Sequence, residues 1–431
     1  MNQPRRAFRA LCSLFLSASL LGGCSAGRNI IIDDTPTAPP PQTKLTFFGF
    51  KYEALNVLAI EDALHGYMDE HPELCISYDG IKGLDYYDVL QKRLDTGNGD
   101  DIFMVDHERV LELSGQGRLA DLSDLSTVAD FSDLAMSQMS ASGAIYYLPT
   151  SISAFGLYCN TDLLKAHGWE IPENRDQLEE ACRYFVSQGI TPIVANNDIS
   201  LKTVVLGRAL LPLYQGTDTA QAIARFNTGE DDLAQALLPG FQLVEQMLSQ
   251  GWVDAGEALT TAKTQDDLVL FAQGERPFML TGAWAVSRLR ELAPSLRFEV
   301  RPYPILDDGS VLVINMDTRV SVNADSPHLE EAKQFVEYLT RRDVLWEFVN
   351  SQSSFSPLKE NLLAEDKAIQ SIAPYLTNGR SVLGSDDNFD LPIWDLSRQC
   401  VVKMLEGGDA QAAVSCMREL IGAWHEARTG A

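Results

Sequence analysis

The 431-residue chain has no Cys-x-x-Cys pair and its six histidines are scattered, so no zinc-type ligand spacing is present. It also lacks Gly-x-Ser-x-Gly, His-Glu-x-x-His, a phosphate-binding P-loop and a strand-to-helix Gly-x-Gly-x-x-Gly fingerprint, so none of the enzyme classes those motifs mark is indicated. Positive charge is scarce. Against 60 Asp and Glu stand 34 Lys and Arg, for a formal net charge of −26. Phosphate backbones are bound by concentrated Lys and Arg, so this balance argues against nucleic acid or another polyanion and makes a neutral ligand the default. No internal repeat occurs, and no low-complexity tract beyond one proline-rich stretch near the start.

What is present begins at the N-terminus. Arg5, Arg6 and Arg9 precede the apolar run Leu11–Leu21, which is too short to span a bilayer and ends at Leu21-Gly22-Gly23-Cys24. Small residues leading into Cys24 read as a lipobox, so residues 1–23 are expected to be a lipoprotein signal peptide and Cys24 the lipidated residue. Two acyl chains on one cysteine anchor a protein stably. Residues 24–43 read as a lipid-anchored spacer, in which Arg28–Thr43, with Pro36, Pro39, Pro40 and Pro41, has almost no apolar periodicity and in extended form reaches roughly 40–50 Å. The expected location is therefore extracytoplasmic, at the cell membrane. Of the later cysteines, Cys75 and Cys159 lie in strand-like runs and read as buried small apolar groups, while Cys400 and Cys416 fall on two adjacent predicted helices, within reach of a disulfide.

From Lys44 the pattern alternates: strand-like Lys44–Phe50, Leu74–Tyr78 and Ile102–Val105, with amphipathic helices over Ala54–Glu70, Tyr86–Leu94 and from Glu108 to about Gly115. Alternation of this kind indicates a parallel α/β sheet, whose ligands bind beyond the carboxyl ends of the strands. Those ends are Gly49–Tyr52, Asp79–Gly83 and Asp106–His107. The stretch Gly143–Trp169 then reads as two short strands, Ala144–Leu148 and Ala154–Cys159, broken by Pro149-Thr150-Ser151 and followed by a helix capped by Asn160. This is a chain crossing between lobes. Beyond it the chain is mostly helical, with further strands at Pro192–Ala195, Pro277–Leu280, Phe298–Tyr303, Val311–Ile314 and Arg319–Asn323.

Several segments in this order resemble family 1 extracellular solute-binding proteins, the receptor components of bacterial ABC importers. They are Gly99-Asp100-Asp101-Ile102-Phe103 with Gly117–Leu122, the Gly143–Asn160 segment, Phe271–Glu275 with Gly282-Ala283-Trp284, and Glu331–Leu339. Cys159 stands where the family usually has an aromatic residue. The resemblance implies an α/β, two-lobe, periplasmic-binding-protein-like fold with hinge crossings between the lobes. The N-lobe is placed at 44–150 and 264–322 and the C-lobe at 151–263 and 323–431. It further implies a carbohydrate ligand, most often an oligosaccharide, permease subunits as partners, a monomer, and neither an enzyme nor a cofactor- or metal-dependent protein.

A sugar presents hydroxyl groups and apolar ring faces, which are met by aromatic planes beside paired hydrogen-bonding side chains. The resemblance places Trp284 and Trp394 in the cleft. Asp106, ending the third strand, is a candidate hydroxyl acceptor, with capping of the next helix as its alternative. Phe50 and Tyr52 end the first strand as an aromatic wall. Tyr146 and Tyr158 share the crossing and are cleft or core residues. Arg319 is placed to bind hydroxyls or a carboxylate, with a surface salt bridge as its alternative. Competing classes are a tethered glycosidase using paired acids such as Asp100-Asp101 or Asp386-Asp387, and a receptor of the same fold for a peptide or polyamine. The Asp106-His107-Glu108 triplet does not read as a metal site, because adjacent residues rarely converge on one ion.

Overall fold

Alternation of apolar residues in Thr43–Gly49 (β1) and Leu74–Gly80 (β2), and the four buried residues of Ile102–Val105 (β3), set three strands side by side in parallel, as their intervening helices require. The computed structural model describes residues 42–81, 85–140, 143–360 and 364–429. The signal, lipobox, Cys24 and most of the spacer lie outside them, and the following concerns the unit Gln42–Ala431. The remaining strands are Leu148–Asn160 (β4), Ile193–Val194 (β5), Phe278–Gly282 (β6), Phe298–Arg301 (β7), Tyr303–Leu306 (β8), Gly309–Val322 (β9) and Ser381–Leu383 (β10). The sheet order is β2-β1-β3-β9-β4-β6-β5, with β7 on β4 and both β8 and β10 on β9. Strands β4 and β9 run antiparallel to each other down the middle, with β3 antiparallel to β9 and β6 antiparallel to β4 on either side.

Of the two strands expected in the crossing, Ala144–Leu148 is not one, since residues 144–147 precede β4, and Ala154–Cys159 is the second half of β4, which starts at Leu148 and runs through Pro149 to Asn160. Strand β9 joins the two runs expected at Val311–Ile314 and Arg319–Asn323. The polar stretches that appeared to break them, Thr150–Ser153 and Asn315–Thr318, pair with each other across the ladder: Ser151 faces Asp317 and Ser153 faces Asn315. Pro149 supplies no N–H, and nearby Thr318 adopts a left-handed φ of 48°. Thr150 Oγ1 donates to the Thr318 carbonyl at 3.1 Å, holding the two strands together at this irregularity.

The period of two divides the interior into two cores. On β4, Ala154 and Tyr158 join one core, while Phe155, Leu157 and Cys159 join the other. On β9, Leu312 and Ile314 oppose Val311 and Val313 in the same way. Both faces of the central sheet are thus covered by helices, which is why these segments read as unbroken apolar runs. The first core takes β1–β3 and helix Ala54–Glu70, and the second takes helices Ser200–Tyr214, Leu238–Ser249, Ile393–Leu405 and Ala410–Thr429. Helices Leu329–Leu339 and Arg342–Ser351, grouped by sequence with the C-lobe, pack in the first core. Phe335 meets Phe47 edge-on at 6.2 Å, and Tyr338 lies 5.0 Å from Tyr67. Pro239, in the first turn of helix Leu238–Ser249, separates that helix from the short helix Leu233–Ala236. Cys75 is half-buried rather than buried, Cys159 is fully enclosed, and Cys400 and Cys416 are unbridged thiols within hydrogen-bonding contact.

Candidate functional site

The polar middles of β4 and β9 form the floor of a cleft of about 740 Å³. Ser153, Asn315, Asp317 and Thr318 line it, and Ser153 Oγ donates to Asp317 Oδ2 at 2.6 Å. Lys51, just after β1, reaches the same carboxylate oxygen at 3.2 Å. Burial alone would raise the Asp317 pKa, but the Lys51 charge and the Ser153 hydrogen bond outweigh it and hold the group below the usual carboxylate range. The ends of β1 and β3 both open here, as Phe50–Lys51 and Asp106–His107. Among the described residues three non-glycine residues have positive φ: Thr264, Thr318 and Ser353. Thr264 and Thr318 line this cleft, and Ser353 sits between Gln352 and Ser354, which also line it. Strained backbone of this kind is retained where the surrounding structure over-determines it, characteristically at binding sites.

Two tryptophans and Phe155 form the apolar wall. Trp284 follows β6 and meets Phe155 edge-on, with ring centroids 5.3 Å apart and planes at 86°. Its six-membered ring lies against Gly282, where an added Cβ would fall 2.1 Å from it. Trp394, at the start of helix Ile393–Leu405, sits 5.1 Å from Phe155 and against Gly384 in the same manner, with an added Cβ 2.5 Å away. Each indole therefore rests on a glycine whose missing side chain admits it. Behind Trp394 the fully buried Lys202 places Nζ 4.0 Å from the ring. Burial pushes the Lys202 pKa down to about 8, and its ion pair with Asp198 at 2.9 Å only partly offsets this.

The expected residues separate as follows. Trp284, Trp394, Phe50, Asp106 and Arg319 all line the cleft, whereas Tyr52 and Tyr146 are not among its lining residues. Tyr52 is 39% exposed, and Tyr146 packs half-buried against the first core. Tyr158 is core, its hydroxyl donating to the Gly282 carbonyl at 2.8 Å beneath Trp284. Asp106 both lines the cleft and caps helix His107–Gly115, accepting from the Arg109 N–H at 2.8 Å. Asn160 caps helix Thr161–Ala166. Arg319 makes an ion pair, but a buried one. With 4% of its side chain exposed, it grips Asp387 through Nη1–Oδ2 at 2.9 Å and Nη2–Oδ1 at 2.7 Å, and Nε donates to the Met316 carbonyl.

Asp317 and Ser153 escaped the sequence reading, while Asp387 entered it only as half of a candidate acid pair, and Lys51 and His107 only as positions at strand ends. Asp387 and Asp317 lie in runs of acidic and polar residues that resemble solvent-facing loop, and only the interrupted periodicity of β9 marked Asp317. Among the described residues no group of three or more His, Cys, Asp or Glu is arranged to hold a metal ion, and no helix is long and apolar enough to cross a membrane. Several of the cleft charges are matched within the protein, Lys51 by Asp317, Arg319 by Asp387 and Lys263 by Asp198. The arrangement can stack an apolar face and exchange hydrogen bonds without demanding a charged ligand.

Residues 51–344 match the family model described as bacterial extracellular solute-binding protein. The multiple sugar-binding protein of Streptococcus mutans is 18% identical over 356 residues, covering 82% of each chain. The melibiose/raffinose/stachyose-binding protein MelE of Bacillus subtilis is 24% identical over 352 residues and 76% of each chain. Among solved structures, the solute-binding protein RafE in complex with raffinose superposes with a TM-score of 0.69 at 18% identity, over 88% of this chain and 98% of that one. A family 1 extracellular solute-binding protein from Bifidobacterium longum subsp. infantis does so with a TM-score of 0.70 at 19% identity, over 89% and 100%. These structures share the two-lobe binding-protein fold. With its fold, its polar-floored cleft and a family match over most of its length, this chain belongs to the bacterial extracellular solute-binding proteins, which are receptors and not enzymes.

Proposed function

We propose that this protein captures an oligosaccharide in the cleft between β1, β3, β4 and β9 and delivers it to the permease of an ABC importer. The observation that carries this reading is the pair of glycine-seated tryptophans, Trp284 and Trp394, facing a floor of Ser153, Asn315 and Asp317. Indoles offer a flat apolar surface to sugar rings, and the floor offers donors and acceptors to hydroxyls. Phe50, Asp106 and Arg319 complete the ligand-facing set. Tyr52 and Tyr146 belong to it only if lobe movement carries them to the rim. A cavity of about 740 Å³ lies well within the range of small-molecule sites, roughly 300–1,000 Å³, and has room for more than one sugar ring. Relatives named for raffinose, stachyose and melibiose support the same ligand class.

Strands β4 and β9 pass from one core to the other and serve as the hinge. Open lobes admit ligand, and contacts from both sides favour the closed state by the ligand's differential affinity for it. The first lobe is built on β1–β3 with helices Leu329–Leu339 and Arg342–Ser351, and the second on the second core. Lipidation at Cys24 and the proline-rich spacer hold the monomeric receptor at the membrane, where permease subunits read the closed form. The test is calorimetric titration of the full-length protein with raffinose and stachyose, repeated with Trp284→Ala. Saturable 1:1 binding that the substitution weakens by at least about tenfold supports the reading. Binding of unchanged affinity removes Trp284 from the site.

A further inference from the structure

Residues 384–390 follow β10 and lead into the helix that carries Trp394. Although rich in Asp and Asn, this segment is largely buried and tied on two sides. On one side, Asp386 Oδ1 accepts from Gln138 Nε2 at 3.0 Å and the Asp387 N–H donates to Gln138 Oε1 at 2.7 Å. On the other, Tyr214 Oη donates to Asp386 Oδ2 at 2.8 Å, and Asn227 Nδ2 donates to the Asn388 carbonyl at 2.8 Å. The segment spans from helix Asp133–Met139 to helices Ser200–Tyr214 and Thr219–Thr228.

At its centre sits His107, with 9% of its side chain exposed. Nε2 donates to the Phe389 carbonyl at 2.8 Å, and Nδ1 lies 3.3 Å from Asp387 Oδ1. Both partners are acceptors, so a neutral imidazole would turn a lone pair towards one of them, whereas the doubly protonated ring satisfies both. Charge counting agrees. Arg319, from β9, and Tyr147, just before β4, face the same carboxylate, the tyrosine hydroxyl donating to Asp387 Oδ2. On the helix of His107 stand Asp106, hydrogen-bonded to Tyr87, and Glu108, which is near Asp395. With His107 protonated, Asp106 and Asp387 meet two cations, and without that proton they meet one.

We propose that His107, as an imidazolium, is a positioning residue that fastens residues 384–394, and with them the cleft residues Ser385 and Trp394, to the end of β3, so that ligand affinity is linked to its proton. The proposal rests on the binding reading above. Burial and Arg319 oppose the charge, but Asp387 and the Phe389 carbonyl prevail and raise the His107 pKa above its ordinary value. The stabilisation is therefore present at low pH and lost as pH rises through the raised value.

The experiment is a pH series, roughly pH 5 to 9, on the full-length protein. Calorimetric affinity for the bound saccharide should weaken with rising pH by on the order of three- to tenfold, the linkage expected for about half to one unit of pKa difference between free and bound forms. In His107→Gln the slope should flatten while the circular dichroism spectrum stays native. Without ligand, the Trp394 indole N–H resonance should shift with the same midpoint as the His107 ring in wild type and lose that midpoint in His107→Gln. A wild-type pH slope retained in His107→Gln, or a His107 titration that leaves Trp394 unmoved, overturns the proposal. If no saccharide binds, the function above fails, and the ligand-free resonance, which needs only the wild-type protein, still decides the positioning role.

Discussion

At the scale of single residues, the site depends on side chains that are absent as much as on those present. Gly282 and Gly384 leave room for the two indoles, and neither has a positive φ, so the requirement is steric and not conformational. Gly282→Ala should therefore leave the strand intact but push Trp284 off its seat. We expect a loss of ligand affinity on the order of tenfold or more with little change in melting temperature, read by titration and by thermal unfolding. Trp284→Ala should cost at least as much, about 2 kcal/mol being typical of an anchoring aromatic. Lys202 beneath Trp394 gives a spectroscopic handle. Its folded pKa of about 8 lies below the ordinary 10.5, so the native state releases this proton more readily than the unfolded chain. The contribution of this group to stability accordingly rises with pH from about 8 to 10.5. Tryptophan emission should change with a midpoint near pH 8 in wild type and lose that midpoint in Lys202→Met.

At the scale of elements, the two long strands carry most of the account. Sequence periodicity located the second half of β4 and both apolar halves of β9; helix Ala54–Glu70 starts and ends where the pattern placed it. It missed the first half of β4 and divided β9 in two because Ser151, Ser153, Asn315 and Asp317 break the apolar run, and in one dimension a polar cleft floor looks like a turn. Only the pairing of the two interruptions reveals them as one surface. Trp284 and Asp106 were legible because each ends a strand. The Arg319–Asp387 pair was not, since 68 residues separate its members and each alone resembles a solvated charge. That pair fastens the loop before Trp394 to β9. Arg319→Met leaves Asp387 buried with its main partner gone and should destabilise by about 3–5 kcal/mol. Denaturant unfolding measures that loss.

At the scale of the whole molecule, two cores sharing one continuous sheet make a hinge that needs no flexible linker. Fold and family were legible because strand–helix alternation and the order of several short segments extend over most of the chain. The assignment of helices Leu329–Leu339 and Arg342–Ser351 was not, because an amphipathic helix records that it has a buried face but not which core receives it. Packing of Phe335 on Phe47 and of Tyr338 beside Tyr67 decides the matter. A ligand that binds only the native state raises its stability by an amount set by concentration and affinity, about 2.7 kcal/mol at one hundred times Kd. The most direct test of the receptor account is therefore a thermal-unfolding screen of the full-length protein against oligosaccharides, peptides and polyamines. The account predicts a concentration-dependent rise in melting temperature with one class of oligosaccharide, shifted to higher ligand concentration in Trp284→Ala. A rise with peptides or polyamines and with no saccharide would contradict it.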